Sequence, residues 1–214
     1  MPDLIIACLS QKGGVGKSTL TRLIARTYAA AGWEVKIADF NVRQKTSVDW
    51  VANRMEDNVE PAIAAEPYSS PKNMKRETAN LVVADGKPDS DQSSLEIARL
   101  ADLVIVPTGF SFDDLKPQLA FAAELVAKGI SRDRILFVLN KITESELAVN
   151  EAKLAIRQAG FTVANSELSS KTGYQMAQNI GRAVSETKYP SLNDKAEELA
   201  AEIAALVNKL SEAA

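Results

Sequence analysis

Short apolar runs alternate along most of the chain with stretches of helical periodicity. Residues 4–9, 35–38, 81–84, 103–108 and 135–139 are such runs, each closed by a polar or turn residue. Runs that are apolar on both faces predict strands of a parallel sheet covered on both sides. Between them Leu20, Leu23, Ile24, Thr27, Tyr28 and Ala31 recur at helical spacing, and Gly32 is a natural stop. A second helix is predicted over 47–55 with Val48, Val51 and Ala52 inward, and a third around Leu95, Ile97, Ala98 and Leu100. Further helices are expected over 112–128, 144–159, 173–185 and 193–211, the last with Leu199, Ile203, Leu206 and Leu210 as its apolar stripe. Residues 56–80 are the least regular: 62–65 read as a short strand, Pro67 and Pro71 bracket a turn, and 72–79 read as a polar helix. Residues 161–163 suggest a last strand. The pattern is that of an α/β fold, a doubly wound, mostly parallel sheet with helices on both faces. No repeat or low-complexity linker divides it, so residues 1–214 are expected to form a single domain.

The bulk composition narrows the chemistry. Hydrophobic residues make up 46% of the 214, enough for a sizeable core. A net charge of −3 does not advertise nucleic-acid binding, so any DNA contact has to come from a local basic patch. Histidine is absent, which removes imidazole catalysis and ligation. The one cysteine, Cys8, lies in the first apolar run and reads as a small buried residue; it excludes an intrachain disulfide and suits a reducing cytoplasm. No apolar run approaches a membrane span, and Met1-Pro2-Asp3 lacks a signal-peptide n-region.

The first apolar run is followed by Gln11-Lys12-Gly13-Gly14-Val15-Gly16-Lys17-Ser18-Thr19 and then by the first helical pattern. Strand, glycine-rich loop and helix in that order are the context of a phosphate-binding loop. Glycines let the backbone approach phosphates, and the helix N-terminus favours negative charge. Lys17 can reach the β- and γ-phosphates and the Ser18 hydroxyl can ligate Mg²⁺. A glycine-rich turn with a chance lysine is the bland alternative. Asp85 closes an apolar run, where a carboxylate can hold a Mg²⁺-bound water beside Ser18; a strand-end turn residue is the rival reading. The loop, Asp39, Asp85 and Asn140 all fall at predicted carboxyl ends of strands, where ligands of open α/β sheets bind.

The strict P-loop spacing wants glycine where Gln11 stands, and Lys12 is an extra lysine. The box resembles the deviant Walker A motif of the ParA/MinD family of P-loop ATPases, and the likeness extends to the strand-end acids and to Gly181-Arg182-Ala183-Val184 before the last helix. The resemblance implies a P-loop NTPase fold with ATP and Mg²⁺ as cofactors. It implies ATP contacts from Lys12, Gly13, Gly14, Val15, Gly16, Lys17, Ser18 and Thr19, with Asn140 at the adenine. It implies metal binding by Ser18 and Asp85, and catalytic roles for Lys12, Lys17, Asp39 and position 41. In that family the extra lysine reaches the partner subunit's phosphates in a nucleotide-sandwich homodimer, and the loop after Asp85, residues 86–94, is a switch.

Where the family has a second acid this chain has Asn41, and Arg43-Gln44 stands where Pro-Gln is usual. An amide is a very poor proton acceptor. Slow hydrolysis, another residue in the acid's place, or a deliberate Asp→Asn change that traps the ATP state all remain open. The compact length resembles small plasmid-partition ParA proteins. That implies a cytoplasmic, nucleoid-associated ATPase which binds nonspecific DNA as an ATP dimer. A ParB-like or other small cargo partner would release it by stimulating hydrolysis. Lys171, Arg182 and Lys188 are the candidate DNA contacts, with a solvated surface as the competing reading. The Glu-rich last helix lacks the basic character of a MinD-type membrane tail. A dethiobiotin-synthetase-like metabolic enzyme and a nucleotide-gated positioning scaffold with little hydrolysis are the alternatives.

Overall fold

The computed structural model describes residues 1–88, 92–143 and 145–212. The expected strands form: β1 (Leu4–Cys8), β2 (Val35–Asp39), β4 (Leu81–Asp85), β5 (Leu103–Thr108) and β6 (Ile135–Ile142). β3 (Ala64–Pro67), β7 (Thr162–Val163) and β8 (Leu168–Ser169) are short additions. All pairings are parallel, in the order β3-β2-β4-β1-β5-β6-β7, with β8 also on β6. The glycine-rich loop, Asp39 and Asp85 therefore meet at the carboxyl end of the sheet because β1, β4 and β2 are neighbours.

Helices α1 (Lys17–Ala30), α2 (Thr46–Glu56), α6 (Thr172–Asn179) and α7 (Pro190–Glu212) pack on one face, and α3 (Gln92–Leu100), α4 (Phe112–Ala127) and α5 (Glu146–Gln158) on the other. Successive residues of β1 feed opposite cores: Leu4, Ile6 and Cys8 join Leu20, Trp50 and Leu199, whereas Ile5 and Ala7 join Ile97, Phe121 and Ile156. This is the doubly wound arrangement that two-faced apolar runs demand.

Several local expectations are corrected. Residues 71–76 form a 3₁₀ turn rather than a polar helix, and the strand read at 62–65 is displaced to Ala64–Pro67. β6 runs through Asn140 to Ile142, beyond the expected stop. α6 ends at Asn179, because Gly181 takes a left-handed φ of 71° and the chain turns back toward α2. In α2 the buried residues are Ser47, Trp50, Val51 and Arg54, whereas Ala52 is exposed and Val48 only partly covered. On α1, Ala31 lies outside the helix and is exposed.

Candidate nucleotide site

Residues 9–16 cross the carboxyl end of the sheet's centre between β1 and α1. Gly16 has φ 103°, and a Cβ there would lie 1.6 Å from the Asn140 amide nitrogen. That nitrogen donates to the Val15 carbonyl at 2.9 Å, and Lys141 Nζ donates to the Gly14 carbonyl at 2.7 Å. The end of β6 thus draws two loop carbonyls to its own side, beside a helix N-terminus whose dipole favours an anion.

Lys17 is buried, and its Nζ donates to Ser10 Oγ at 3.0 Å and to the Lys12 carbonyl at 3.3 Å. Lys12 leaves the loop toward α4, where its Nζ pairs with Asp114 Oδ1 at 2.5 Å. Ser111 Oγ donates to Asp114 Oδ2 at 2.7 Å. Burial alone would raise the Asp114 carboxyl, but Lys12 and Ser111 hold it below the ordinary carboxylate range. Both lysines expected at the phosphates are therefore anchored within their own chain.

Asp39 and Asp85 are paired in register across β2 and β4. Asp39 is fully buried, and its two oxygens accept from the backbone N–H groups of Asn41 (2.9 Å) and Ser47 (3.0 Å). It shapes the loop into α2. Asp85 differs: Oδ2 accepts from Ser47 Oγ at 2.6 Å, while Oδ1 is buried without a hydrogen-bond partner. Burial pushes the Asp85 carboxyl up; the Ser47 and Ser18 hydroxyls and Arg22 oppose the rise, and Asp39 adds to it. With Lys17, Ser18, Asn41 and Thr46, Asp85 lines a cavity of about 200 Å³. An orphaned carboxylate oxygen near a serine hydroxyl is a donor set that fits a hard divalent cation and its waters.

The charged form of Asp85 is disfavoured in the fold, so its cost to stability appears as pH rises through the elevated folded pKa. Asp85→Asn is accordingly expected to raise the melting temperature of the ligand-free protein at neutral pH. The same variant should lose the Mg²⁺-dependence of nucleotide affinity. A lower melting temperature by scanning calorimetry would overturn this account of Asp85.

Asn41 turns into its own loop, its Nδ2 donating to Gln44 Oε1 at 2.7 Å. Asn140, the expected adenine contact, has both ends of its amide engaged, since Oδ1 also accepts from the Lys141 N–H at 2.9 Å. It borders a small recess with Thr19, Lys171 and Tyr174. The loop after Asp85 continues as Gly86, Lys87 and Pro88; the part of the expected switch at 89–91 lies outside the described residues. Arg182 and Lys188 are exposed beside a groove floored by Met176 and Ile180, away from the P-loop cavity lining. A larger cavity of about 670 Å³ opens at the other end of the sheet, lined by Asp3, Arg99, Asp102 and Arg134.

Ser47, Asp114 and Lys141 were not expected as site residues. No sequence signal marks them, because their partners stand 38 to 127 positions away.

Residues 6–183 match the nucleotide binding domain family CbiA, described as CobQ/CobB/MinD/ParA. The chain belongs to the CobQ/CobB/MinD/ParA family. No curated protein sequence matches it. Among solved structures, the septum site-determining protein MinD from Pyrococcus horikoshii, complexed with Mg-ADP, superposes with a TM-score of 0.74 at 16% identity, covering 97% of this chain and 98% of that one. An aspartate-to-alanine variant of McdA from Cyanothece in complex with ATP gives 0.71 at 16% identity, over 95% and 98%. A plasmid-partition protein candidate from Borrelia burgdorferi B31 bound to AMPPNP gives 0.67 at 16% identity, over 93% and 98%. These likenesses establish a P-loop fold of the MinD/ParA kind, and the CobQ/CobB/MinD/ParA assignment agrees with the site built at the carboxyl end of the sheet.

Proposed function

We propose that this CobQ/CobB/MinD/ParA chain is a ParA-type partition or positioning ATPase, working in the cytoplasm on the nucleoid. The observation that carries the reading is the second lysine, Lys12, at the rim of a P-loop whose own lysine is Lys17. Lys17 lines the cavity whereas Lys12 turns out of the loop to Asp114, and a second lysine directed away from its own site suits a face-to-face homodimer closed around two nucleotides. The plasmid-partition candidate bound to AMPPNP and McdA bound to ATP support the direction of the proposal. Among the described residues no helix is long and apolar enough to cross a membrane.

In this scheme the loop backbone, Gly13 to Thr19, binds the phosphates, and Lys17 turns from Ser10 onto the β- and γ-oxygens. Ser18, with Asp85 acting through a water, would hold Mg²⁺, which supplies charge neutralisation on the phosphates. Lys12 exchanges Asp114 for the partner's nucleotide, so ATP favours the dimer, and the dimer presents a joint DNA surface. Loss of the γ-phosphate contacts loosens it, and a small ParB-like cargo partner accelerates that loss.

Asp85 is the one carboxylate among the described residues lining the cavity, and the Asn41 amide cannot accept a proton from water. Intrinsic hydrolysis is therefore slow. The same observation favours the second reading, a nucleotide-gated scaffold that stays in its ATP state.

The test is cosedimentation with random-sequence duplex DNA under ATP, ADP or no nucleotide across a salt series. Binding is expected with ATP only, weakening steeply as salt rises. Lys12→Ala should sediment as a monomer with ATP, lose DNA, and keep its ADP affinity. Folded, ATP-loaded protein that ignores DNA, or normal ATP dimers of Lys12→Ala, would sink the proposal.

A further inference from the structure

We infer that the Thr46 hydroxyl is a second protein ligand for the nucleotide's divalent cation, beside Ser18; this rests on the nucleotide reading of the site. Thr46 Oγ1 lies 3.4 Å from Ser18 Oγ, and both residues line the cavity that contains Asp85. Adjacent ligands in an octahedral shell at 2.0–2.1 Å stand about 3 Å apart, so the two hydroxyls need only a small approach. The unpartnered Asp85 Oδ1 borders the same space.

Thr46 is exposed, but its backbone is held by the groups around it. Its carbonyl accepts from Arg22 Nη2 at 2.6 Å. Arg22 in turn donates to Gln178 at 3.2 Å, and its guanidinium carbon lies 5.5 Å from the centre of the Trp50 ring. The next residue, Ser47, is tied by its N–H to Asp39 and by its hydroxyl to Asp85. With backbone and neighbour held, the Thr46 side chain is delivered to one place.

Its hydroxyl meets Ser18 Oγ and does not cap the helix it begins. Threonine at a helix start commonly caps the first turn. Here the N-cap is Lys45, in a left-handed conformation with φ 48°, and α2 has no side-chain cap. A neutral hydroxyl is a suitable ligand for a hard cation at any physiological pH. It also answers a deficit of this chain: Asn41 brings an amide, turned to Gln44, where a carboxylate would have added charge to the cation's surroundings.

The test uses Thr46→Val, which removes the oxygen at nearly constant volume, and Thr46→Ser, which keeps it. Mn²⁺ replaces Mg²⁺ as the spectroscopic probe, and bound waters are counted from ¹⁷O broadening of the Mn²⁺·ADP complex. The valine variant should hold one more water than the wild type, and the serine variant the same number. Affinity for a fluorescent ATP analogue should fall about 10-fold in Thr46→Val with Mg²⁺ present, and not at all in EDTA. An unchanged water count and affinity in Thr46→Val, with a wild type that does bind nucleotide Mg²⁺-dependently, overturns the Thr46 ligand alone. A wild type without Mg²⁺-dependent nucleotide binding overturns the nucleotide reading as well.

Discussion

Replacing Glu186 by alanine lowers the free energy of unfolding by about 3–5 kcal/mol, because it strands a buried guanidinium. Arg54 is 1% exposed, and its two terminal nitrogens meet Glu186 at 2.7 and 2.9 Å. Nη1 also donates to the Gly181 carbonyl at 3.1 Å, and Nε to the Pro61 carbonyl at 3.0 Å. Glu186 also accepts from the Ala183 N–H at 2.7 Å. Position 181 completes the enclosure, since a Cβ on Gly181 would come within 2.4 Å of the Arg54 backbone nitrogen. Burial alone would raise the Glu186 carboxyl, but Arg54, the Ala183 N–H and Arg26 hold it below the ordinary glutamate range. A depressed carboxylate stabilises the fold above its unfolded pKa and loses that contribution as pH falls through the folded one. The gap between wild type and Glu186→Ala in urea denaturation should therefore be full at neutral pH and shrink in acid. Arg54→Met combined with Glu186→Met should recover part of the loss, since no charge is then left buried. A single variant within 1 kcal/mol of wild type would show that the pair is not the clamp described.

Lys17→Ala is expected to weaken ATP binding by at least about 100-fold, the scale of losing a desolvated, charge-assisted contact to phosphate. Its effect on the empty fold has the opposite tendency. Lys17 is a buried cation held by a serine hydroxyl and one carbonyl, so its removal relieves desolvation. The two effects separate in a thermal shift experiment. At a ligand concentration of about 100 times Kd the wild type gains about 2.7 kcal/mol. The variant should melt no lower than wild type without nucleotide and gain at most about 0.4 kcal/mol at that ATP concentration. An ATP-induced shift equal to the wild type's would remove Lys17 from the phosphate site.

The central strands and the loop between β1 and α1 are legible in the sequence for a common reason. A run buried on both faces must be apolar throughout, and a backbone that cradles phosphate needs glycines, so the physics writes itself into consecutive residues. The C-terminal half of the site is different. β8 has two residues, and its Leu168 pairs with Asn140 through the sheet rather than through any local pattern. Arg54 reads as a solvent-facing charge on α2, and only Glu186, 132 positions on, makes its burial tolerable. Trp50 is buried, and the direction of its ring follows from Arg22, Arg54 and the Arg182 carbonyl, which no local sequence pattern reveals. Ser47 and Asp114 are ordinary helix-start residues in sequence, and become site residues because β2, β4, β1 and β5 lie side by side.

The sheet described above ends on two unpromising margins. One is β3, four residues long, closed by Pro67, whose nitrogen carries no hydrogen to donate; its Glu66 is exposed and paired with Lys36 at 2.9 Å. The other is β7, with two residues. Short edges bearing proline and charge resist pairing with a neighbouring chain's backbone. Ribbon-like extension from molecule to molecule, which would be permanent and indifferent to small ligands, is thereby discouraged. Under the proposed dimer, association would rest on side-chain contacts, which a ligand at the carboxyl end of the sheet can make or break.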